Sequence, residues 1–224
     1  MSKVSYLVLV RSGNTVYYEE QKYAGWADVA LSENGVNAAR EAANFIRASG
    51  IRLDIGFTSM LKRGVHTTNI IIDELDINSL KVHKHWRLNT RHYGKLEGLN
   101  KESSSEIALN DDVRPPLLDL MDDKHPSHEA KYQYVPLEAL PGGESMNDCK
   151  ARIIPYWQDK IAPALLKGKN VLVVSHGHSI KALRNHLGDV EGIETLESTI
   201  SAGIPRVLEF NQRLEITAQY NLSN

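Results

Sequence analysis

Two apolar segments of the sequence end in short polar clusters that could bind an anion. Arg11-Ser12-Gly13 follows the segment 6–10, and Ser175-His176-Gly177-His178 follows the segment 171–174. A third cluster, Lys62-Arg63, opens a helical pattern after another short apolar segment. Guanidinium and ammonium groups, together with the free backbone N–H groups at the start of a helix, suit a tetrahedral oxyanion such as phosphate. If the three clusters converge, they form a phosphate-binding pocket.

Each cluster also has a simpler interpretation when it is taken alone. Lys62 and Arg63 could form a solvated first helical turn, and His176 could pack in the core or cap a helix. A strand that ends in Ser-His-Gly could bind a dinucleotide, but neither strand is followed by G-x-G-x-x-G, so we expect no nucleotide cofactor. The histidines are scattered, and we expect the extended His83-Lys84-His85 to face solvent, so the sequence predicts no metal site.

Apolar segments and helical periodicities alternate along the chain, and these elements must position the clusters. We predict strands over 6–10, 55–59, 170–174 and 206–210, an extended segment over 81–85, and helices over 33–49, 62–74, 145–166 and from 177 onward. This alternation predicts an α/β fold with three αβα layers and a mostly parallel central sheet. Because open α/β sheets bind ligands at the carboxyl ends of their strands, the polar clusters should meet at that edge.

The length and composition favour a single domain in a reducing compartment. A chain of 224 residues with 42% hydrophobic content can bury one core, so we predict one domain over 1–224, with a lid-like excursion at about 102–142 where prolines interrupt the periodicity. Lys+Arg 26 against Asp+Glu 28 provides no basic field for nucleic acid or an anionic membrane. The single Cys149 excludes an internal disulfide, and the first apolar segment is too short for a signal peptide, so we expect a cytoplasmic protein.

A series of short motifs runs along nearly the whole chain. They lie at 7–13, 25–35, 58–63, 86–94, 98–101, 140–141, 144–145, 155–157, 176–177 and 203–205. In this order they resemble the motifs of the cofactor-dependent phosphoglycerate mutases of the histidine phosphatase superfamily. The resemblance implies a phosphoglycerate mutase-like fold. It also implies a reaction in which a phosphohistidine, primed by 2,3-bisphosphoglycerate, moves a phosphoryl group between the 2- and 3-hydroxyls of glycerate.

Two positions depart from the catalytic pattern of that family. Ser12 stands where the family has the histidine that becomes phosphorylated, and Thr90 stands where it has an acid/base glutamate. An unactivated hydroxyl is almost entirely protonated near neutrality, and threonine does not titrate in a useful range. The sequence therefore predicts a catalytically inactive or severely impaired homologue, a pseudoenzyme.

Other matched positions keep residue types that suit an anion. By resemblance, His176, Arg11 and Arg63 belong to the catalytic set. The phosphate-binding and substrate-binding set implied in the same way is Arg11, Tyr18, Ala24, Gly25, Lys62, Arg63, Arg91, His92, Tyr93, Lys101, Gly177 and His178. Tyr18 and His178 replace asparagines of the family, and Arg114 stands alone where the family carries a pair of arginines. The alternative for 91–93 is that these residues pack their loop regardless of ligand.

Three functions stay open on the sequence. A non-catalytic protein would bind phosphoglycerate or another small phosphorylated metabolite. An active mutase would need a rerouted mechanism, in which His176 activates Ser12 or His178 serves as the nucleophile. A phosphatase-like hydrolase would use water held by one of these histidines, with Glu144 offering a carboxylate. By analogy with the family, we expect a homodimer or tetramer, and we expect neither a nucleic acid nor a membrane as a partner.

Overall fold

The computed structural model describes residues 4–102, 113–189 and 200–223, and a six-stranded sheet forms its centre. The strands are β1 (Ser5–Arg11), β2 (Ile55–Thr58), β3 (Val82–Lys84), β4 (Val171–Ser175), β5 (Arg206–Phe210) and β6 (Ile216–Asn221). Their order is β3-β2-β4-β1-β5-β6. The four strands from β3 to β1 are parallel, whereas β5 and β6 pair antiparallel. The predicted mostly parallel α/β sheet is thus confirmed.

The central strands are nearly continuous apolar runs because both of their faces are covered. Leu7 and Leu9 of β1 point into one core, and Val8 and Val10 point into the core on the opposite face. A one-residue slip would exchange these two faces, so burial fixes the register of the strand. In that register Arg11 pairs with Ser175 of β4. The residues that follow the two strands therefore lie side by side.

Helices cover both faces of the sheet. They are α1 (Val16–Glu19), α2 (Glu33–Ser49), α3 (Lys62–Leu75), α4 (Met146–Tyr156), α5 (Ala162–Leu166) and α6 (Gly177–Leu187), and a π-helical segment (Trp157–Ile161) joins α4 to α5. The Ser32 side chain caps α2 and accepts from Gly35 N, and Gly50 ends this helix in the left-handed conformation. Residues of α2 and α3 pack in the core that contains Val8, and residues of α6 pack in the core that contains Leu7.

The structure differs from the sequence prediction at the sheet edge and in the excursion. β6 was not predicted, because its residues are mostly half-buried and give no clear apolar run. Residues 103–112 of the predicted excursion at 102–142 lie outside the described residues. The part from 113 onward contains short 3-10 helices, and its Tyr132 packs in the core with Trp26. The single domain over 1–224 stays a prediction.

None of the helices within the described residues is long and apolar enough to cross a membrane.

Candidate functional site

A pocket of about 140 Å³ lies at the carboxyl ends of β1 and β4. Its lining residues are Arg11, Ser12, Gly13, Asn14, Thr15, Tyr18, Lys22, Tyr23, Ala24, Gly25, Arg63, Thr90, Tyr93, Lys101, His176, Gly177 and His178. The two strand ends and the start of α3 therefore converge, as their sequence clusters predicted. The pocket occupies the edge at which parallel sheets bind their ligands.

Ser12 and His176 form the base of this pocket. Ser12 N donates to Ser175 O at 2.7 Å, and this bond fixes the backbone just beyond the paired strands. Ser12 Oγ then lies 3.0 Å from His176 Nδ1, while His176 Nε2 lies 2.8 Å from Ser59 Oγ. The imidazole is thus held at both nitrogens, and a neutral ring can satisfy both bonds with one donor and one acceptor.

The imidazole of His176 is neutral near physiological pH. Burial, assisted by the positive charges of Arg63, Arg152 and Arg11, holds the pKa of His176 well below its ordinary value. The side chain is 4% exposed, and a protonated ring there would be desolvated among cations. His176 can therefore accept a proton from a neighbouring hydroxyl.

Positive charge dominates the pocket although the whole chain has a net charge of -2. The cations that line it are Arg11, Lys22, Arg63 and Lys101, and none of the described lining residues is Asp or Glu. Arg11 and Lys101 each approach the ring of Tyr18, at 5.5 and 5.3 Å from its centroid. A pocket lined by one sign of charge attracts ligands of the opposite sign. This pocket suits an anion.

Arg63 is a fixed cation in the wall of the pocket. It is 5% exposed, and its guanidinium donates to Ala27 O at 3.0 Å and to Gly25 O at 2.6 Å. Burial lowers the pKa of Arg63 to about 10, which leaves the group charged at neutral pH. These two bonds use two of the five N–H donors of the guanidinium, so donors remain for an oxyanion.

The amino end of α6 also faces the pocket. His176 is the N-cap of this helix, but its ring bonds to Ser12 and Ser59 and does not cap the helix. Gly177 and His178, the first two residues of α6, line the pocket. Backbone N–H groups at a helix start have no intrahelical partner and favour anions.

The comparisons with known proteins agree with this geometry. A family model described as the histidine phosphatase superfamily (branch 1) matches residues 7–213. The chain belongs to this superfamily. It is 41% identical to the 2,3-bisphosphoglycerate-dependent phosphoglycerate mutase of Borreliella afzelii (strain PKo) over 227 residues, which cover 97% of this chain and 92% of that protein. The mutase of the same name from Borreliella burgdorferi (strain ZS7) is 40% identical with the same coverage.

A solved structure shows the same fold in this superfamily. The phosphoglycerate mutase from Bacillus anthracis str. Sterne superimposes with a TM-score of 0.72 over 97% of this chain and 92% of that chain. Its sequence identity of 20% makes this a likeness of fold. The identity to the Borreliella proteins places the chain in the phosphoglycerate mutase family within the superfamily.

Most of the residues that the sequence predicted for the site line the pocket. The exceptions are Lys62, Arg91 and His92. Lys62 is exposed, and its backbone N–H donates to Asp28. Arg91 is fully buried, with its Nε donating to Glu144 O and an Nη donating to Val113 O. His92 is also fully buried, and its Nδ1 accepts from Gly94 N at 2.9 Å. Packing of the loop, the alternative considered for 91–93, accounts for Arg91 and His92.

Tyr93 of the same loop does reach the pocket. Its hydroxyl lies 3.2 Å from His178 Nε2, and both residues are among those that line the cavity. Thr90 lines the cavity as well, while its carbonyl accepts from Trp26 Nε1 at 2.7 Å. The two positions that the sequence singled out, Ser12 and Thr90, thus face one cavity.

Glu97 was missed by sequence reasoning although it supports the pocket wall. Its carboxylate accepts from the backbone N–H groups of Trp26 (2.7 Å), Ala27 (3.1 Å) and Tyr93 (3.1 Å). Burial raises the pKa of Glu97 to about 7, against the opposing effect of these donors and of Arg63. Gly25 leaves room for this carboxylate, since a Cβ there would lie 1.8 Å from Glu97 Oε1. Only its place beside the motif 98–101 could have suggested a role.

Proposed function

We propose that this chain is a phosphoglycerate mutase family protein that binds a small phosphorylated metabolite and does not perform phosphohistidine-based phosphoryl transfer. The observation that carries the proposal is the composition of the pocket. It combines several cations with Ser12 and Thr90, and no carboxylate occurs among its described lining residues. Phosphoryl transfer needs positioning, positive charge, a nucleophile and a proton acceptor. The pocket supplies the first two, but its hydroxyl at Ser12 is a poor nucleophile and Thr90 cannot take the proton of a substrate hydroxyl.

The donor set fits the anionic groups of a phosphoglycerate. Arg11, Arg63 and Lys101 supply positive charge, and the start of α6 supplies backbone N–H groups. The same donors fit the phosphates of 2,3-bisphosphoglycerate, which when bound is a source of phosphoryl groups. At the position where the family resemblance implies a phosphohistidine, however, this chain has the hydroxyl of Ser12.

Serine is a poor replacement for that histidine at both chemical steps. A neutral imidazole attacks through a free lone pair and leaves readily from phosphorus, whereas a hydroxyl must lose a proton first and then forms a stable ester. Thr90 cannot take a proton from a substrate hydroxyl. We therefore propose that turnover is lost while anion binding is retained.

One observation favours an active mutase as the second candidate. Ser12 Oγ is hydrogen-bonded to the neutral imidazole of His176, so a proton could move from this oxygen to Nδ1 as the oxygen bonds to phosphorus and the P–O ester bond of the phosphorylated metabolite breaks. Ser59 holds the opposite ring nitrogen and orients the ring. This arrangement resembles an activated nucleophile and its base. The second proton transfer, from the substrate hydroxyl, then has no acceptor, because Thr90 cannot take the proton.

A hydrolase that uses Glu144 has less support. The Glu144 carboxylate accepts from Arg152 Nε and Nη2, both at 2.7 Å, and from His92 N at 3.0 Å. It is 3% exposed and does not line the pocket. Because these bonds occupy it inside the protein, it is not placed to activate a water molecule beside His176.

The decisive experiment measures conversion of 3-phosphoglycerate to 2-phosphoglycerate in the presence of 2,3-bisphosphoglycerate. We expect no turnover above background in the parent protein, and we expect activity to return in the double variant Ser12→His/Thr90→Glu. Calorimetric titration of the parent with 3-phosphoglycerate should detect binding in the same buffer. A parent that turns over, and that stops when Ser12→Ala is introduced, would establish the second candidate instead.

The cytoplasmic location and the homodimer or tetramer remain predictions. The location rests on the sequence, and the assembly rests on analogy with the family.

A further inference from the structure

A second cavity, of about 400 Å³, lies between the β3 edge of the sheet and the π-helical segment with α5. We call it the basic groove. It is lined from the sheet by residues of β2 and β3 together with His85, and from the helices by residues of 156–169. It shares no described lining residue with the candidate site. Its volume is within the range of roughly 300–1,000 Å³ that is typical of small-molecule sites.

Four aromatic rings form a continuous surface in the basic groove. His83 stacks on Phe57 with ring centroids 5.4 Å apart, and His85 stacks on Tyr156 at 4.2 Å. Phe57 meets Tyr156 edge to face at 6.2 Å, which joins the two stacks. Flat π-surfaces of this kind accept a further flat ring by stacking. The sequence predicted that 83–85 faces solvent: Lys84 does, whereas His83 and His85 are half-buried in this surface.

Both imidazoles of the surface are neutral near physiological pH. Burial, together with nearby positive charges such as Lys160, lowers the pKa of His85 to about 4. Burial and neighbouring lysines also lower the pKa of His83. A neutral imidazole presents one donor and one acceptor nitrogen, as the edges of heterocyclic bases do.

The Tyr156 hydroxyl adds a polar group to this surface. Tyr156 is 6% exposed, and its hydroxyl has no hydrogen-bond partner among the described residues. This oxygen is accessible, because it is not among the buried polar atoms that lack a partner, and Tyr156 lines the groove. A ligand in the basic groove can therefore hydrogen-bond to it.

Lysines surround the aromatic surface. Lys84, Lys160, Lys167 and Lys169 line the basic groove, and Asp159 is the one acid among its described lining residues. These four ammonium groups form no ion pair within the part of the chain that the structure describes. Clustered like charges repel one another, and a bound anion would relieve that repulsion.

The π-helical segment builds one wall of the basic groove. Trp157 and Ile161 stay buried in the core, while Asp159 and Lys160 between them reach the groove. A π-helix is rare and is often found at a functional site. It is therefore consistent with a binding role for this wall.

We propose that the basic groove binds a nucleoside phosphate, with its base on the histidine–tyrosine surface and its phosphates among the lysines. A simple inorganic anion would use the lysines but leave the rings without a role, and an uncharged aromatic compound would leave the lysines unpaired. An acidic peptide that pairs with the edge strand β3 would contact the outside of the sheet. The rings, by contrast, line the space between sheet and helix.

The test is calorimetric titration of the full chain with ADP, and separately with pyrophosphate and with adenosine. We expect ADP to bind with a Kd of about 1 mM or tighter, and each half molecule to bind at least about tenfold more weakly. Lys160→Glu should weaken ADP binding by about tenfold or more, because it replaces attraction of a phosphate with repulsion. Tyr156→Phe, which keeps the ring and removes the hydroxyl, should weaken it about threefold or more.

Two control variants separate the basic groove from other cationic surfaces. Lys150→Glu makes the same charge change on the exposed face of α4, and Arg11→Met removes a cation from the candidate site. Neither should change ADP affinity by more than about twofold. The proposal is overturned if ADP fails to bind, if pyrophosphate binds as tightly as ADP, or if Arg11→Met rather than Lys160→Glu abolishes binding. It is also overturned if a glutamate-rich peptide binds in place of ADP.

Discussion

Ser12 Oγ lies 3.0 Å from His176 Nδ1, so the hydroxyl at the end of β1 and the imidazole at the end of β4 form one buried hydrogen-bonded pair. The pair exists because the register of the two strands places Arg11 opposite Ser175. The active mutase that we consider as the second candidate depends on that bond. Its energetic and functional consequences can be measured separately.

The first prediction concerns the stability that Ser12 contributes. Ser12→Ala leaves one ring nitrogen of the buried His176 without a partner, so we expect the free energy of unfolding to fall by about 1–3 kcal/mol. Urea unfolding of the variant and the parent measures this difference. Ser223→Ala, at an exposed position, is the matched control and should change stability by less than about 0.5 kcal/mol. Equal stability of Ser12→Ala and the parent would contradict the bond.

The second prediction concerns anion binding at the pocket. Arg11→Met removes one of the four cations that line the pocket, so we expect 3-phosphoglycerate to bind about tenfold more weakly or worse. Titration calorimetry at two salt concentrations measures the affinity, which should also lose part of its salt dependence. Arg213→Met, an exposed substitution between β5 and β6, is the control. Unchanged affinity in Arg11→Met would show that the metabolite binds elsewhere.

The sequence was sufficient to predict the central sheet and the convergence of the clusters. Near-continuous valine and leucine runs identify β1 and β4, and parallel strands necessarily bring their carboxyl ends to one edge. The predicted bounds of α2, 33–49, were correct because Ser32 and Gly50 cap its two ends and capping chemistry is local. β6 lies at a sheet edge with mostly half-buried side chains, so its pattern is too weak to identify a strand.

The direction in which a side chain points could not be predicted in the same way. Arg91 turns into the protein because Glu144 O and Val113 O, from distant segments, accept its N–H groups. Nothing in the sequence next to Arg91 specifies those acceptors. Ser59 likewise follows a recognisable strand, but its contact with His176 depends on how three strands pack. The motifs thus indicated which residue types the site contains, but they did not indicate which distant residues form hydrogen bonds with them.

The third prediction is a pH dependence that originates in Glu97. Burial raises the pKa of Glu97 from its ordinary value of 4.5 to about 7 in the folded protein. The folded state therefore binds the proton of the Glu97 carboxyl more tightly than the unfolded state does. The stability that this protonation contributes is lost as the pH rises from 4.5 through about 7. Glu97→Gln removes the titration. Above about pH 7 the free energy of unfolding of the variant should thus rise relative to that of the parent, by up to about 3 kcal/mol.

The measurement is urea unfolding of both proteins across that pH range. The difference in free energy of unfolding between Glu97→Gln and the parent separates the effect of Glu97 from that of the buried His92 and His176. The pKa values of these histidines are lowered by folding, so they make stability rise with pH. The amide loses one acceptor, so a constant penalty of about 1 kcal/mol is expected at every pH. Glu138→Gln, at an exposed position, should follow the parent throughout. A difference that does not vary with pH would disprove the assignment to Glu97.

The fourth prediction concerns the buried ion pair that supports the wall beneath Thr90. Arg152 donates to both oxygens of Glu144 at 2.7 Å, and it also donates to the carbonyls of Arg87, Asn89 and Thr90. Both charged side chains are nearly inaccessible. Arg152→Met would leave the Glu144 carboxylate buried without its cation, so we expect a loss of about 3–5 kcal/mol.

Urea unfolding of Arg152→Met beside Arg114→Met tests this expectation. Arg114 also forms a two-bond pair, with Asp148, but at an exposed position, where such pairs contribute about 1 kcal/mol or less. The two variants thus replace the same type of residue in the same way, and they differ in whether the ion pair is buried or exposed. Because the carbonyl of Thr90 loses a donor in Arg152→Met, 3-phosphoglycerate affinity should fall in that variant and stay constant in Arg114→Met. Equal stability losses in the two variants would mean that Arg152 does not stabilise the wall of the pocket through a buried pair.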